Sequence, residues 1–187
     1  MNASPRTGAA ERFLREFATH LLPDLGPRPQ PGRLTAGEVE ERFDRLCAEV
    51  LLPGTTQQLL RSAALLWHDH LDESHSISQG IHSREGSLLH GFMHRREPDY
   101  GNARYWFNRV GRHPAYAIIG RAVETTLRPA GEGPLAARLA PGGDWDPFAF
   151  IDACEEAVDA PEENQLRRRL RQVQAIEFTE WVRHLVP

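Results

Sequence analysis

Helical periodicity dominates this sequence. Apolar residues recur every three or four positions in each strongly patterned segment, as they do along the buried face of an α-helix. No segment shows the sustained apolar and polar alternation, bounded by hairpin turns, that is typical of a β-strand. We therefore predict an all-α fold, a single-domain array of about seven to nine helices.

Prolines, glycines and capping residues divide the chain into these helices. The first helix and a proline-rich linker occupy residues 1–34. Thr35, with Glu38 three residues later, forms the capping-box pattern that starts the next helix. Residues 129–145 are predicted to be a loop rich in proline and glycine around a short LAARL turn, and a last helix runs from about residue 161 to residue 185.

Length and composition restrict the class of protein. A chain of 187 residues normally folds as one domain, so we assign residues 1–187 to a single helical domain. No apolar run approaches the roughly 18 residues that a membrane-spanning helix needs. The N-terminus also lacks the apolar region of a secretory signal, so we expect a cytoplasmic protein without a membrane partner. Cys47 and Cys154 are predicted to be reduced thiols in the core.

Charge and missing motifs exclude several functions. A formal net charge of -4 argues against a nucleic-acid partner, because affinity for phosphates comes mostly from clustered positive charge. The one basic run, residues 167–171, is predicted to be a solvated helix face. The chain contains no lysine, which excludes Schiff-base chemistry. Phosphate-binding loops, dinucleotide fingerprints and the Gly-x-Ser-x-Gly nucleophile elbow are absent as well.

Residues 87–114 hold the highest density of hydrogen-bonding and aromatic groups in the chain. The spacing of four packing positions resembles that of a tetratricopeptide hairpin: Gly91, Ala103, Phe107 and Val110. In that family the glycine lets two helices approach closely, and the alanine and phenylalanine pack the second helix against the first. The resemblance implies a central α-hairpin, although Ser87 and His94 stand where the family has tryptophan and tyrosine.

A second resemblance extends over a longer signature. The string HGFMHRREPDYGNARYWFNRVGRHP, followed downstream by GGDWDPFAFIDACE, is similar to that of small helical proteins with no established activity. The likeness implies a helical fold and carries no function to this chain.

Three residues of the central segment share a chemically competent face. His90, His94 and Glu97 are four and three residues apart, which places them on one side of a helix. Imidazole and carboxylate groups at this spacing act as general acids and bases or bind a divalent transition metal. We therefore predict all three as catalytic residues and as metal ligands. A simpler interpretation is that Glu97 pairs with the neighbouring arginines.

The preceding helix carries a related set of groups. Its apolar stripe continues past Trp67 to the polar residue His75, and His68, Asp72 and His75 repeat the metal-competent spacing. A polar face on the following helix would complete a groove. The predicted ligand-binding residues of this groove are His75, Arg96, Asn102, Tyr105 and Arg109.

These features favour a helical protein that binds a small polar or anionic molecule in a groove lined by histidine, glutamate and arginine. A metal-assisted enzyme is the more specific form of this hypothesis. The alternative is a tetratricopeptide-like module that binds a peptide without catalysis. In a third interpretation, the same polar groups form a structural network between two helices.

Overall fold

The computed structural model describes residues 5–186, with side chains from Gly8 onward, and confirms the all-α prediction. Within this range the chain is 70% helical, with ten α-helices, one short 3-10 helix and no strand. The helices are α1 (Pro5–Phe17), α2 (Ala36–Glu49), α3 (Gly54–Trp67), α4 (Leu71–Ser78), α5 (Arg84–Arg96), α6 (Tyr100–Val110), α7 (Pro114–Leu127), α8 (Gly133–Leu139), α9 (Pro147–Ala157) and α10 (Gln165–Leu185). Residues 1–4 and 187 of the predicted domain lie outside the described residues. No helix in the described range has the length and apolar character to span a bilayer.

Helix α5 lies at the centre of the fold. Every residue from Gly86 to Arg96 is buried, and α3, α4 and α6 pack around it. Gly91 permits the close approach of α6, because a Cβ atom at this position would lie 2.8 Å from the Phe107 ring. The α5–α6 hairpin predicted from the sequence is therefore present, while kinship with tetratricopeptide repeats stays a prediction.

The chain breaks between α3 and α4, where the sequence predicts one continuous apolar stripe. Asp69 lies in the break with a φ of 70°, a left-handed conformation that ends the helix after Trp67. Both Asp69 carboxylate oxygens are used: Arg33 donates to one and Arg96 to the other. The prediction of a continuous stripe is wrong here because long-range ion pairs stabilise the break.

Two adjacent arginines at the end of α5 form buried ion pairs with different partners. Arg95 donates to both oxygens of Glu177 on α10, and each side chain of the pair is 1% exposed. Arg96 donates to Asp69 and to the carbonyl oxygens of Leu66 and Gly26. The interpretation in which Glu97 pairs with these arginines is therefore wrong, because both guanidinium groups turn to other elements.

The basic run of α10 holds the proline-rich linker in place. Arg167, fully buried, donates to both carboxylate oxygens of Asp24 at 2.7 Å. Arg171 donates to the carbonyl oxygens of Leu22 and Pro23. The prediction of a solvated face is wrong for these two positions, since a linker with few backbone donors leaves carbonyl groups that arginine satisfies.

Two sequence predictions outside this centre have different outcomes. Cys47 and Cys154 are both free thiols, as expected, but only Cys154 is buried, whereas Cys47 is half-buried at the edge of the core. The predicted loop at residues 129–145 contains a helix, α8, whose Leu139 is fully buried, followed by the 3-10 helix Pro141–Gly143. The LAARL segment consists of strong helix formers, and burial of Leu139 stabilises the predicted turn as a helix of 7 residues.

The Glu177→Gln substitution tests the buried pair at the end of α5. Glutamine keeps the shape of the side chain but leaves the Arg95 charge without a counter-ion, so we expect a loss of about 3–5 kcal/mol in the free energy of unfolding. Denaturant-induced unfolding measures it. The matched control is Glu156→Gln, which removes one charge from an exposed pair with Arg138 and should cost less than about 1 kcal/mol. Equal losses in the two variants would contradict the proposed importance of the buried pair.

Candidate metal centre

Three histidine side chains from two neighbouring helices converge beside the α5–α6 hairpin. Helix α4 contributes His75, and α5 contributes His90 and His94. The ring centroids are 4.8 Å apart for His75 and His90, 5.3 Å for His75 and His94, and 4.9 Å for His90 and His94. One nitrogen of each ring lies within 4.8 Å of the others. The three imidazoles therefore form a compact set of nitrogen donors.

Helix geometry and packing explain this convergence. His90 and His94 are one turn apart on α5, so they share the face that α4 covers. The Trp106 ring of α6 stacks on His90 at a centroid distance of 4.1 Å and an interplanar angle of 20°. His90 and His94 are only 3% and 5% exposed, whereas His75 is half-buried at the edge of the cluster. An approach to the donors from solvent is therefore on the His75 side.

Glu97 orients one histidine of the cluster through a hydrogen bond. It is the C-cap of α5, and His94 Nδ1 donates to its Oε2 at 3.0 Å. This bond places the ring proton on Nδ1 and leaves Nε2 of His94 with a free lone pair. The geometry thus differs from the ligand set predicted from the sequence: His75 takes the third position, and Glu97 orients His94 in the way that carboxylates commonly orient metal-binding histidines.

Burial keeps the inner two imidazoles neutral. Desolvation, together with the neighbouring rings of His94 and His75, lowers the pKa of His90 to about 4, although the backbone of Ser78 acts in the opposite direction. Desolvation also lowers the pKa of His94, against the opposing effect of Glu97. A metal ion binds the neutral form of imidazole. His90 is already neutral at neutral pH, so metal binding does not have to displace a proton from an imidazolium ion.

A wide acidic depression adjoins the cluster at the C-terminal end of α5. Its volume is about 530 Å³, and besides Asp69, which is paired with two arginines, its lining includes four carboxylates: Asp72, Glu73, Glu97 and Asp99. Glu97 belongs both to this depression and to the hydrogen bond with His94. The carboxylates raise the local concentration of cations near the histidines.

The residues predicted to donate hydrogen bonds to an anionic ligand differ in their exposure to solvent. Arg96 is buried and satisfied by Asp69 and two carbonyl groups, so the prediction that it binds a ligand is wrong. Asn102 is half-buried in the first turn of α6, where its backbone N–H donates to Asp99. Tyr105 and Arg109 are exposed on α6, one turn apart, and Arg109 donates to the Tyr105 hydroxyl oxygen. Of these donors, only those on α6 face solvent.

His68 does not join His75, contrary to the second predicted set. Its Nδ1 accepts a hydrogen bond from the backbone N–H of Leu34, and its ring packs edge-on against Phe17. Asp72 is exposed on α4. The break at Asp69 changes the helical register, so the spacing counted along one helix does not apply.

A second group of possible ligands has chemistry that argues against a metal. Glu85, His113 and His184 also bring their polar atoms within 4.8 Å of one another. His113 Nδ1 accepts a hydrogen bond from the N–H of Ala115, so its proton lies on Nε2, which donates to Glu85 at 2.8 Å. A metal at Nε2 would move that proton to Nδ1, against the Ala115 N–H. Trp181 also donates to Glu85, and the group is a hydrogen-bond network that joins α5, α7 and α10.

Comparison of the chain with protein family models, with curated proteins and with solved structures found no match. The chemistry of the described residues, above all of the histidine cluster, is therefore the guide to function.

His68 gives a pH-dependent prediction that is independent of the metal centre. Burial, with the charge of Arg33 nearby, lowers the pKa of His68 to about 4 from an ordinary value of 6.5. The unfolded chain binds this proton more readily than the native chain, so the stabilising contribution is complete above pH 6.5 and disappears as the pH falls towards 4. The loss is about 1.4 kcal/mol per pH unit within that window.

The substitution His68→Asn isolates this contribution. The asparagine oxygen can accept the Leu34 N–H in place of Nδ1, yet it does not titrate. Urea unfolding at several pH values between about 7 and about 4.5 should show a shallower loss of stability in the variant than in the natural protein. Parallel curves for the two proteins would contradict the assignment of the proton to His68.

Proposed function

We propose that this protein binds a divalent transition metal through His75, His90 and His94. The convergence of three imidazole nitrogens within 4.8 Å carries the proposal. The His94 proton is held on Nδ1 by Glu97, so Nε2 of His94 can offer its lone pair to an ion shared with the other two rings. The hydrogen bond from His94 to Glu97 and the acidic depression support the proposal independently.

Zinc suits this donor set best. Zn²⁺ binds imidazole nitrogens at about 2.0–2.1 Å in tetrahedral geometry, which places neighbouring ligand atoms about 3.3 Å apart. The three nitrogens here need to move closer by up to about 1.5 Å, a distance within the reach of side-chain rotations of the half-buried His75. Three protein ligands leave the fourth position for water or substrate, as in catalytic rather than structural zinc sites.

The chemistry of such a centre is activation of water for hydrolysis of a small polar substrate. A metal with three neutral ligands lowers the pKa of bound water to about 7 and makes hydroxide available at neutral pH. Glu97 fixes the tautomer of His94 and makes its Nε2 a stronger donor. The Trp106 ring stacks on one face of the His90 ring. Peptide binding by the hairpin has no comparable support, because polar groups line the surface next to the cluster.

Elemental analysis of protein purified without an affinity tag tests the proposal. We expect about one zinc per chain, removable by a chelator, and little or none in His75→Ala or in the His90→Ala/His94→Ala double variant. His20, an exposed histidine between α1 and the linker, supplies the matched control His20→Ala, which should retain the metal.

A second measurement covers the case in which the double variant does not fold. Because Trp106 stacks on His90, titration of metal-free protein with Co²⁺ should quench tryptophan fluorescence and produce the visible absorption bands of tetrahedral cobalt. The proposed function would be contradicted if the purified protein contained no metal and the folded natural chain gave no cobalt spectrum.

Glu97→Gln tests the orienting carboxylate. Glutamine removes the negative charge next to His94 Nδ1, and loss of such a partner typically weakens metal binding about 10- to 100-fold. A competition titration with a chromogenic chelator measures the affinity. Glu73→Gln removes the same charge from the wall of the depression without touching His94, and we expect it to change the affinity less than about threefold. Equal effects would show that only the overall charge matters.

A further inference from the structure

A second depression lies at the opposite end of α5 from the acidic one. It has a volume of about 310 Å³ and is lined by His82, Ser83, Arg84, Ser87 and Arg109. None of these lining residues is acidic, and two are arginines. The depression therefore offers positive charge and hydrogen-bond donors in a concave surface of the size that a small polar group fills.

The two arginines of this depression have no acidic partner within the described residues. Arg84 and Arg109 are exposed, and the one hydrogen bond of Arg109 is to the hydroxyl oxygen of Tyr105 at 3.3 Å. Most arginines in the fold instead pair with carboxylates or backbone carbonyl groups. Glu85 follows Arg84 directly in the sequence, but it accepts hydrogen bonds from His113 and Trp181 and is therefore directed towards other elements.

Serine hydroxyls add directed hydrogen-bonding groups to the same surface. Ser83 Oγ accepts the N–H of Gly86, which leaves its own hydrogen available to an acceptor. Ser87 Oγ donates to the Ser83 carbonyl and keeps its lone pairs. The two guanidinium groups and the Ser83 hydroxyl therefore supply donors that match an oxyanion such as a phosphate or carboxylate group.

A continuous layer of side chains connects this depression to the histidines. The Trp106 ring lies 4.1 Å from the His90 ring and 5.4 Å from the Arg109 guanidinium carbon. Ser87 is three residues before His90 on α5, a rise of about 4.5 Å along the helix. The depression and the histidine cluster are therefore neighbours on α5, with Trp106 between Arg109 and His90.

We propose that the depression around Arg84 and Arg109 binds the phosphate or carboxylate group of a small substrate whose reactive bond lies at the histidine centre. The role as a substrate anchor rests on the proposed metal-dependent function, whereas the oxyanion site itself does not. In this arrangement Arg109 has two contacts, the Trp106 ring and the oxyanion, and it positions the substrate relative to His90. The substrate is thus a small anionic molecule and not an uncharged one.

Calorimetric titration of metal-free protein with inorganic phosphate, and separately with acetate, tests the oxyanion site without the metal. We expect saturable binding of one anion per chain that is weakened about tenfold or more by Arg84→Gln or Arg109→Gln and lost in the double variant. Arg168, an exposed arginine of α10, gives the matched control Arg168→Gln, which should bind like the natural protein. Both arginine variants should keep the metal content of the natural protein.

The outcomes separate the two proposals. The oxyanion site would be overturned, with or without a metal, if anion binding were not saturable or if it persisted in the Arg84→Gln/Arg109→Gln variant. Anion binding that requires Arg84 and Arg109, in a protein that takes up no metal, would sustain the oxyanion site and overturn the metal-dependent function. If the Arg84→Gln/Arg109→Gln variant loses anion binding but retains zinc, the result supports both the oxyanion site and the metal centre.

Discussion

The position of α5 depends on the two buried ion pairs at its C-terminal end. Burying a charge is costly in free energy unless the partner and its hydrogen bonds are well placed, so a pair of this kind specifies one arrangement of its elements. Arg95 reaches α10 through Glu177, and Arg96 reaches the α3–α4 break through Asp69. Consecutive residues of a helix point about 100° apart, so the two arginines contact elements on different sides of α5.

With its rotation fixed in this way, α5 presents a third side to α4 and α6. His90, His94 and Glu97 lie on that side, because one turn of helix returns each position to nearly the same direction. His75 joins them only because the break at Asp69 reorients α4 relative to α3. The ion pair of Asp69 with Arg96 therefore contributes to two features at once: it holds the break, and it holds the helix against which the reoriented α4 packs.

Arginines account for much of the difference between the expected and the observed surface. The chain uses arginine for all of its basic side chains, and in sequence each is a candidate ligand-binding or nucleic-acid-binding group. In the fold, Arg95, Arg96 and Arg167 are buried with carboxylate partners that lie between 27 and 143 residues away in the chain. Arg84 and Arg109, like a few other exposed arginines such as Arg168, have no carboxylate partner within the described chain, but these two line one depression. Partner geometry, and not residue type, separates structural arginines from candidate binding groups.

The sequence by itself determined the features that depend on neighbours within about one helical turn. Periodicity established the all-α class, the Thr35 and Glu38 capping box marked the start of α2, and the spacing of His90 and His94 placed both rings on one face. Only the tertiary structure decided that His75 completes the cluster, that Glu97 orients His94 and that Arg96 is unavailable to a ligand. These outcomes depend on which helices pack together and on which distant carboxylate meets each arginine, and local spacing carries no information about contacts between distant segments.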